Sequence, residues 1–141
     1  MVQGLGIAHQ DIEWIGRSKF DVVVIVSLET FKRVEPNFSV LGSIDGRGVT
    51  VTACSRGDST FRENADYVCR FFGPQVGIDE DPVTGSAHCT LVPLWAERLS
   101  TSSLTGYQAS QRGGTIVAKH CEGRVKLQGQ AVATVVGKLY C

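Results

Sequence analysis

The chain has 141 residues, in which 14 lysine and arginine residues balance 14 aspartate and glutamate residues. This length suits one domain with one hydrophobic core, so we expect a single domain over residues 1–141. The formal net charge of zero argues against a nucleic-acid partner and against a membrane-surface protein. No apolar run approaches the ~20 residues of a membrane span, and we expect no signal peptide.

Cysteine and histidine usage indicates a reducing compartment and no metal site. The five cysteines include no C-x-x-C pair, which is typical of free thiols, so we expect a cytoplasmic protein. The three histidines share no metal-type spacing with these cysteines. Cys69 and Cys89 stand among apolar residues and are expected to be inert core thiols. His88 is expected to pack in the core rather than act as a base.

The first half of the chain is expected to contain mainly strands. Residues 5–17 are expected to hold a short helix. Residues 21–27 form the strongest predicted strand, because an unbroken β-branched run is typical of a strand buried on both faces. The next elements up to residue 72 are a short helix, a strand, a polar loop and a strand, at residues 36–44, 49–53, 55–64 and 66–72.

A buried helix is predicted over residues 85–99, because apolar residues occupy most of its faces. Pro93 removes a backbone donor and crowds the carbonyl of Cys89, so a kink or an early break is expected there. Short strands are expected after this helix at residues 107–111, 115–120, 124–128 and 131–138.

The loop before this helix, residues 77–87, is where chemistry is most easily placed. It carries three neighbouring acids, and Asp81 is expected to cap a helix that begins at Pro82. Thr84, Gly85 and Ser86 then offer small side chains and open N–H groups at a positive helix end, which binds carboxylate or phosphate. The simpler alternative is an ordinary capped helix with solvated acids.

The run from residue 72 to residue 88, F-G-P-Q-V-G-I-D-E-D-P-V-T-G-S-A-H, resembles the signature of the PhzF, or phenazine-biosynthesis-like, family. Residues 47–53 (R-G-V-T-V-T-A), 111–114 (Q-R-G-G) and 125–131 (V-K-L-Q-G-Q-A) match other segments of that family. The resemblance covers nearly the whole chain, but as one half of the usual protein, the C-terminal domain.

The resemblance implies an α+β, diaminopimelate-epimerase-like fold, in which each of two domains is a mostly antiparallel sheet rolled around one long helix. The active site of the family lies in the cleft between the domains. Its best-known member is an isomerase that moves a proton without a cofactor, so no cofactor is expected here.

The family also implies roles for particular residues. Asp81 stands at the position of a C-terminal-domain aspartate and is the predicted acid/base residue. Thr84, Gly85, Ser86 and Ala87 are expected to bind the carboxylate of a small anionic metabolite. Asp81 and Ser86 occupy the loop where epimerase relatives carry a cysteine, so thiol-based racemisation is not expected.

The turn at Arg112 and Gly113 allows two interpretations. The simpler interpretation is a plain turn. If it faces the cleft, Arg112 and the backbone of Gly113 are expected to help hold the anionic substrate.

The family's acid/base glutamate lies in an N-terminal half that is not in this sequence, and a proton shift needs groups on both sides of the substrate. Three hypotheses follow. Two copies associate through the cleft face as a homodimer, with two Asp81 carboxylates acting as a linked acid and base. Alternatively, the domain binds small anions without catalysis. In the third hypothesis, it needs a separate N-terminal-type domain as its partner.

Overall fold

One eight-stranded sheet and one long helix organise the structure, a computed structural model that describes residues 1–61 and 64–139. The strands are β1 Ile12–Arg17, β2 Asp21–Val26, β3 Gly48–Cys54, β4 Tyr67–Gly73, β5 Ile78–Asp81, β6 Ser103–Gln108, β7 Gly114–Cys121 and β8 Arg124–Gln128. The helices are α1 Val2–Leu5, α2 Leu28–Lys32, α3 Phe38–Leu41 and α4 Gly85–Arg98, with 3-10 turns at His9–Asp11 and Pro74–Val76. This confirms the expected α+β class.

The sheet is mostly antiparallel. Its strand order is β1-β2-β3-β4-β6-β7-β8, and β5 pairs with β4 outside this path. The pairs β2–β3 and β4–β6 are parallel, and the others are antiparallel. A parallel pair needs a crossover connection, and α4 lies in the connection between β4 and β6. The crossover therefore carries α4 onto one face of the sheet.

Strand β2 confirms the expectation of burial on both faces. Val22, Val24 and Val26 pack with α2 and α3 residues on one face, whereas Val23 and Ile25 pack with α4 on the other. All six residues of β2 are buried. Because successive side chains point to opposite faces, a strand between two helical layers needs apolar residues at nearly every position.

Helix α4 is the centre of the second core. Leu91, Val92 and Trp95 pack against buried residues of β2, β4, β6 and β7, so strands along most of the sheet contact one helix. Trp95 is also fixed by its indole N–H, which donates to Thr52 Oγ1 on β3 at 3.0 Å. The predicted arrangement of sheet around a central helix is confirmed.

The short helix expected over residues 5–17 is wrong, and so is the early break that was one of two alternatives at Pro93. The N-terminal segment has helical turns only up to Asp11, and the rest is β1, paired antiparallel with β2. Pro93 does not break α4, which runs unbroken from Gly85 to Arg98. Pro93 lies beside an exposed Cys89, so the carbonyl that loses its intrahelical partner is on the solvent side of the helix.

The expected strand over residues 131–138 is also not formed. Val132, Val135, Val136 and Leu139 are 86–93% exposed in a segment without regular secondary structure. A strand exists only where its backbone groups pair with a neighbouring edge, and no ladder extends beyond Gln128 in the described part of the chain. Within that part, no helix is long and apolar enough to cross a membrane.

Replacing Leu91, which is fully buried in α4, tests the helix-centred core. We expect Leu91→Ala to lower the free energy of unfolding by ~2–5 kcal/mol, because it removes buried methyl groups and leaves a cavity. The matched control is Glu97→Ala on the exposed side of α4, which we expect to change it by less than ~0.5 kcal/mol. Urea unfolding measures both values, and equal effects would contradict the core assignment.

Candidate active site

Asp81 ends strand β5 and does not cap the helix. The N-cap residue of α4 is Thr84, and the helix begins at Gly85 rather than at Pro82. The Thr84 hydroxyl donates to Asp81 Oδ2 at 2.6 Å instead of bonding to a helix N–H. This hydrogen bond places the Asp81 carboxylate next to the start of α4. Asp81 is half-buried, so the residue remains partly exposed to solvent.

A glutamine that sequence reasoning missed holds this loop in place. Gln108, on β6, is fully buried. Its Oε1 accepts from the Thr84 N–H at 2.7 Å, and its Nε2 donates to the Asp81 carbonyl at 2.6 Å. Leu104, Gly106 and Gln108 alternate along the buried face of β6. A single polar side chain on a buried face needs a hydrogen-bond partner, and this was the feature of the sequence that could have identified Gln108.

The first residues of α4 form an open end. Gly85 and Ser86 are exposed, and a side chain at Gly85 would meet open space. The first N–H groups of a helix have no intrahelical partner, and at the start of α4 the Ala87 N–H donates to the Thr84 carbonyl at 3.1 Å. Ala87 is itself buried, so Gly85 and Ser86 are the residues whose N–H groups face solvent at the helix end.

The turn predicted to assist binding packs against the same loop. Ser110 Oγ donates to the Pro82 carbonyl at 2.8 Å and accepts from the Gly113 N–H at 3.1 Å. Gly113 has φ 71°, a left-handed conformation that favours glycine. Arg112 is exposed and borders a small cavity of about 160 Å³ together with Pro82 and Ser110. The structure therefore brings Arg112 and Gly113 beside the Asp81 loop.

The three neighbouring acids have different surroundings. Both carboxylate oxygens of Glu80 accept from the Arg70 guanidinium, at 2.7 and 3.0 Å, and Arg70 also donates to the Val34 carbonyl. Glu80 is therefore held in a structural ion pair. Asp79 is exposed, and Asp81 is the acid that joins the helix end.

Arg47 supplies positive charge near the site and was not singled out from the sequence. It bonds to both carboxylate oxygens of Asp21, at 2.9 and 2.5 Å, and its guanidinium lies over the rings of Phe20 and Phe71. The pKa of Arg47 is raised mainly because its guanidinium donates to the Asp21 carboxylate, and the Asp81 charge adds a smaller contribution. Arg47 lies over the ring of Phe71, whose partner across the β4–β5 ladder is Asp81.

A buried polar pair lies beneath the helix start. His88 is fully buried, as expected, and its Nδ1 shares a 2.7 Å hydrogen bond with the Tyr67 hydroxyl. Burial lowers the His88 pKa from 6.5 to about 4, so the imidazole is neutral. Cys69 is buried, and burial raises the pKa of its thiol. Cys89 is exposed, because it faces away from the sheet on α4, so its expected place in the core is wrong.

Among the residues that the structure describes, neither a metal cluster nor the larger cavity of the domain coincides with the predicted ligand residues. No group of three or more metal-type side chains comes together in the described part of the chain. A larger cavity of about 730 Å³ lies toward the other end of α4, where it is lined by residues that include Trp14, Pro93 and Glu97. The predicted ligand residues do not line that cavity.

The sequence matches one known protein family over most of its length. The family model described as phenazine biosynthesis-like protein matches residues 10–137. The chain belongs to this family. An uncharacterized isomerase of Halalkalibacterium halodurans is 45% identical over 140 residues, which cover 99% of this chain and 50% of that protein. An uncharacterized isomerase of Pseudomonas aeruginosa is 42% identical, over 97% of this chain and 49% of that protein.

Solved structures of family members agree with the fold. A PhzF-family protein of Enterococcus faecalis superposes with a TM-score of 0.73 at 34% identity, over 94% of this chain and 50% of that one. A PhzC/PhzF protein of Clostridium difficile gives 0.74 at 32% identity, over 90% and 47%. The chain therefore spans about half the length of the relatives it matches.

The buried His88 predicts a pH dependence of stability. Its pKa is about 4 in the folded state against 6.5 for the free group, so the unfolded chain binds the proton more tightly. The resulting stability is complete above pH ~6.5 and is lost as the pH falls towards 4, by about 3 kcal/mol in total. We expect His88→Gln to show a correspondingly flatter decrease in unfolding free energy over this range.

Urea unfolding at several pH values between 7.5 and 4.5 measures this difference. The unmodified protein and His88→Gln share all carboxylates, so the difference between their slopes isolates the imidazole. Parallel slopes would show that His88 is not held neutral in the fold.

Proposed function

We propose that this domain takes part in cofactor-independent proton transfer, an isomerase-type reaction, on a small substrate that carries a carboxylate. Membership of the family and the isomerase names of two relatives support the reaction class. The domain spans half of those relatives, so a complete site needs groups from elsewhere.

The proposal rests on the contact between the carboxylate of Asp81 and the solvent-exposed start of helix α4. Asp81 lies one hydrogen bond, 2.6 Å, from Thr84, the N-cap of α4. The adjacent N–H groups of Gly85 and Ser86, together with the positive end of the helix dipole, suit the carboxylate of a substrate. A substrate held there places its carbon skeleton beside Asp81, which then acts as acid or base.

The second group of the acid–base pair is proposed to come from association at this face. The chain leaves Phe20, Val76 and Ile78 47–54% exposed, and all three lie on or near the elements that flank Asp81. Burial of such side chains favours association. A second copy would bring a second Asp81, and a separate N-terminal-type domain would bring an acid of its own.

A non-catalytic anion-binding module is the second candidate. It is favoured by the fact that Asp81 is the one acid of the loop that adjoins the helix end, since Glu80 is paired with Arg70 and Asp79 is exposed. One acid and one anion-binding end suffice for binding, whereas a proton shift needs the proton to be returned.

Solvent deuterium exchange tests the chemistry. A panel of small carboxylates with acidic C–H bonds is incubated with the protein in D₂O, and incorporation is followed by ¹H NMR and mass spectrometry. We expect Asp81→Asn to slow exchange by at least ~100-fold, because it removes the acid/base group. Asp79→Asn, which makes the same charge change on an exposed neighbour, is the control and should leave the rate unchanged.

The result distinguishes the two candidates. Loss of exchange in Asp81→Asn alone supports proton transfer. Binding of a carboxylate by calorimetry without any exchange, and unweakened by Asp81→Asn, supports the module and contradicts catalysis.

Light scattering on a sizing column, over a range of concentrations, tests how the site is completed. A dimer that persists to micromolar concentration supports pairing of two copies. A monomer that exchanges deuterium only after a separately produced N-terminal-type domain is added supports the two-chain site, and a monomer that is active alone contradicts both.

A further inference from the structure

The direction of the hydrogen bonds around Gln108 fixes how Asp81 can carry a proton. Gln108 is fully buried and Thr84 is 7% exposed, so water does not compete for their bonds. The amide of Gln108 makes three hydrogen bonds to the loop: Oε1 with the Thr84 N–H at 2.7 Å, Nε2 with the Asp81 carbonyl at 2.6 Å, and Nε2 with Thr84 Oγ1 at 3.1 Å. The Gln108 side chain also hydrogen-bonds to the His88 imidazole, which acts to raise the His88 pKa against the larger effect of burial.

The orientation of this amide is determined by its partners. A backbone N–H only donates, so the atom that faces Thr84 N–H must be the accepting Oε1. A backbone carbonyl only accepts, so the atom that faces the Asp81 carbonyl must be the donating Nε2. Reversing the amide would break both bonds in a buried setting, which is costly.

The orientation of the Thr84 hydroxyl follows from that of the amide. Nε2 of Gln108 has only hydrogens to offer, so Thr84 Oγ1 accepts from it at 3.1 Å. The single hydroxyl hydrogen of Thr84 is then free to point at Asp81 Oδ2, 2.6 Å away. That distance is typical of a hydroxyl that donates to an ionised carboxylate.

Oδ2 of Asp81 is therefore occupied as an acceptor, and Oδ1 receives no hydrogen bond from the described residues. We infer that Thr84 and Gln108 are positioning residues that reserve Oδ2 as an acceptor, so that Asp81 takes up and releases its proton at Oδ1. In its catalytic sense this inference rests on the proposed function, because the proton would be that of the substrate.

The corresponding step is balanced between the substrate, Asp81 and the second group of the acid–base pair. Oδ1 forms an O–H bond with a proton from a substrate carbon, and the electron pair of the broken C–H bond stays on the substrate, next to its electron-withdrawing group. The second group then gives a proton to another carbon, where that electron pair forms the new C–H bond. Asp81 releases its proton to water and the second group takes one up from water, so nothing is oxidised or reduced. The fixed Oδ2 keeps Oδ1 aimed at the carbon from which it takes the proton.

Three variants at Thr84 test the assignment by a measurement that needs no substrate. The ¹³C chemical shift of the Asp81 side-chain carboxyl is measured at neutral pH, with Asp81→Asn used to assign the signal. Thr84→Val and Thr84→Ala remove the donor to the carboxylate, so we expect this chemical shift to change in the same direction in both variants. Thr84→Ser keeps the hydroxyl and should leave the chemical shift as it is in the unmodified protein.

These variants separate positioning from packing. Thr84 makes no side-chain cap bond to the helix, and its φ of −111° and ψ of 93° are extended, so valine suits the same backbone. A packing role alone predicts that Thr84→Ala differs from Thr84→Val. An unchanged chemical shift in both variants, or an equal change in Thr84→Ser, would overturn the inference.

The role of Gln108 is tested through the Thr84 hydroxyl proton. In the unmodified protein we expect this hydroxyl resonance to exchange slowly at neutral pH and also after acidification, because Oδ2 stays an acceptor. Loss of the resonance at acidic pH would show that the proton goes to Oδ2 and would overturn the inference. In folded Gln108→Met, Thr84 Oγ1 is released, and we expect that low-pH loss to occur.

The two proposals fail separately. If the Asp81 chemical shift changes as expected but no carboxylate exchanges deuterium, the assignment of Oδ1 stands and the proposed function falls. If exchange depends on Asp81 while the Thr84 variants leave the chemical shift unchanged, the positioning role falls and the proposed function stands.

Discussion

The parallel pairing of β4 with β6 is the constraint on which the arrangement depends. Two parallel neighbours need a crossover, and the chain supplies it with β5, the Asp81 loop and α4. Strand β5 pairs with β4, and Asp81 at its end lies opposite Phe71. The start of α4, which follows Asp81 in the chain, therefore lies beside β4. The candidate site is therefore at a point that the topology itself creates, where a strand ends and a buried helix begins.

Buried polar groups then fix the site within this topology. The Gln108 amide spans from β6 to the loop, and the Tyr67–His88 hydrogen bond joins β4 to α4 one turn further along. A buried donor or acceptor without a partner costs ~1–3 kcal/mol, so each such group restricts the positions that its neighbours can take. The loop is thereby held by hydrogen bonds on its buried side, while Gly85 and Ser86 stay open to solvent.

The same domain leaves apolar surface uncovered. Val132, Val135, Val136 and Leu139 are 86–93% exposed beyond the last strand, although valine suits a sheet. Relatives that this chain matches are about twice as long. Exposed apolar side chains of this kind favour association when another surface buries them.

The sequence by itself determined the features that depend on local pattern. The apolar run within β2, the buried character of α4 and the D-P-V-T-G-S-A segment were identified from their residues, because burial on all sides and the need for small residues leave a direct trace in the sequence. The class of fold and the family followed from that segment and its spacing. The pairing of Arg112 and Gly113 with the loop was foreseen only as one of two alternatives.

Tertiary structure alone decided the rest. Residues 12–17 form β1 because their backbone pairs with strand β2. Residues 131–138 form no strand because they pair with no sheet edge in the described part of the chain. Gln108 lies 24 residues from Thr84, and no local pattern connects them. Asp81 became the acceptor of a side-chain bond rather than a helix cap because the distant Gln108 orients Thr84. Hydrogen bonds between residues far apart in the chain are set by packing, and a single sequence does not record them.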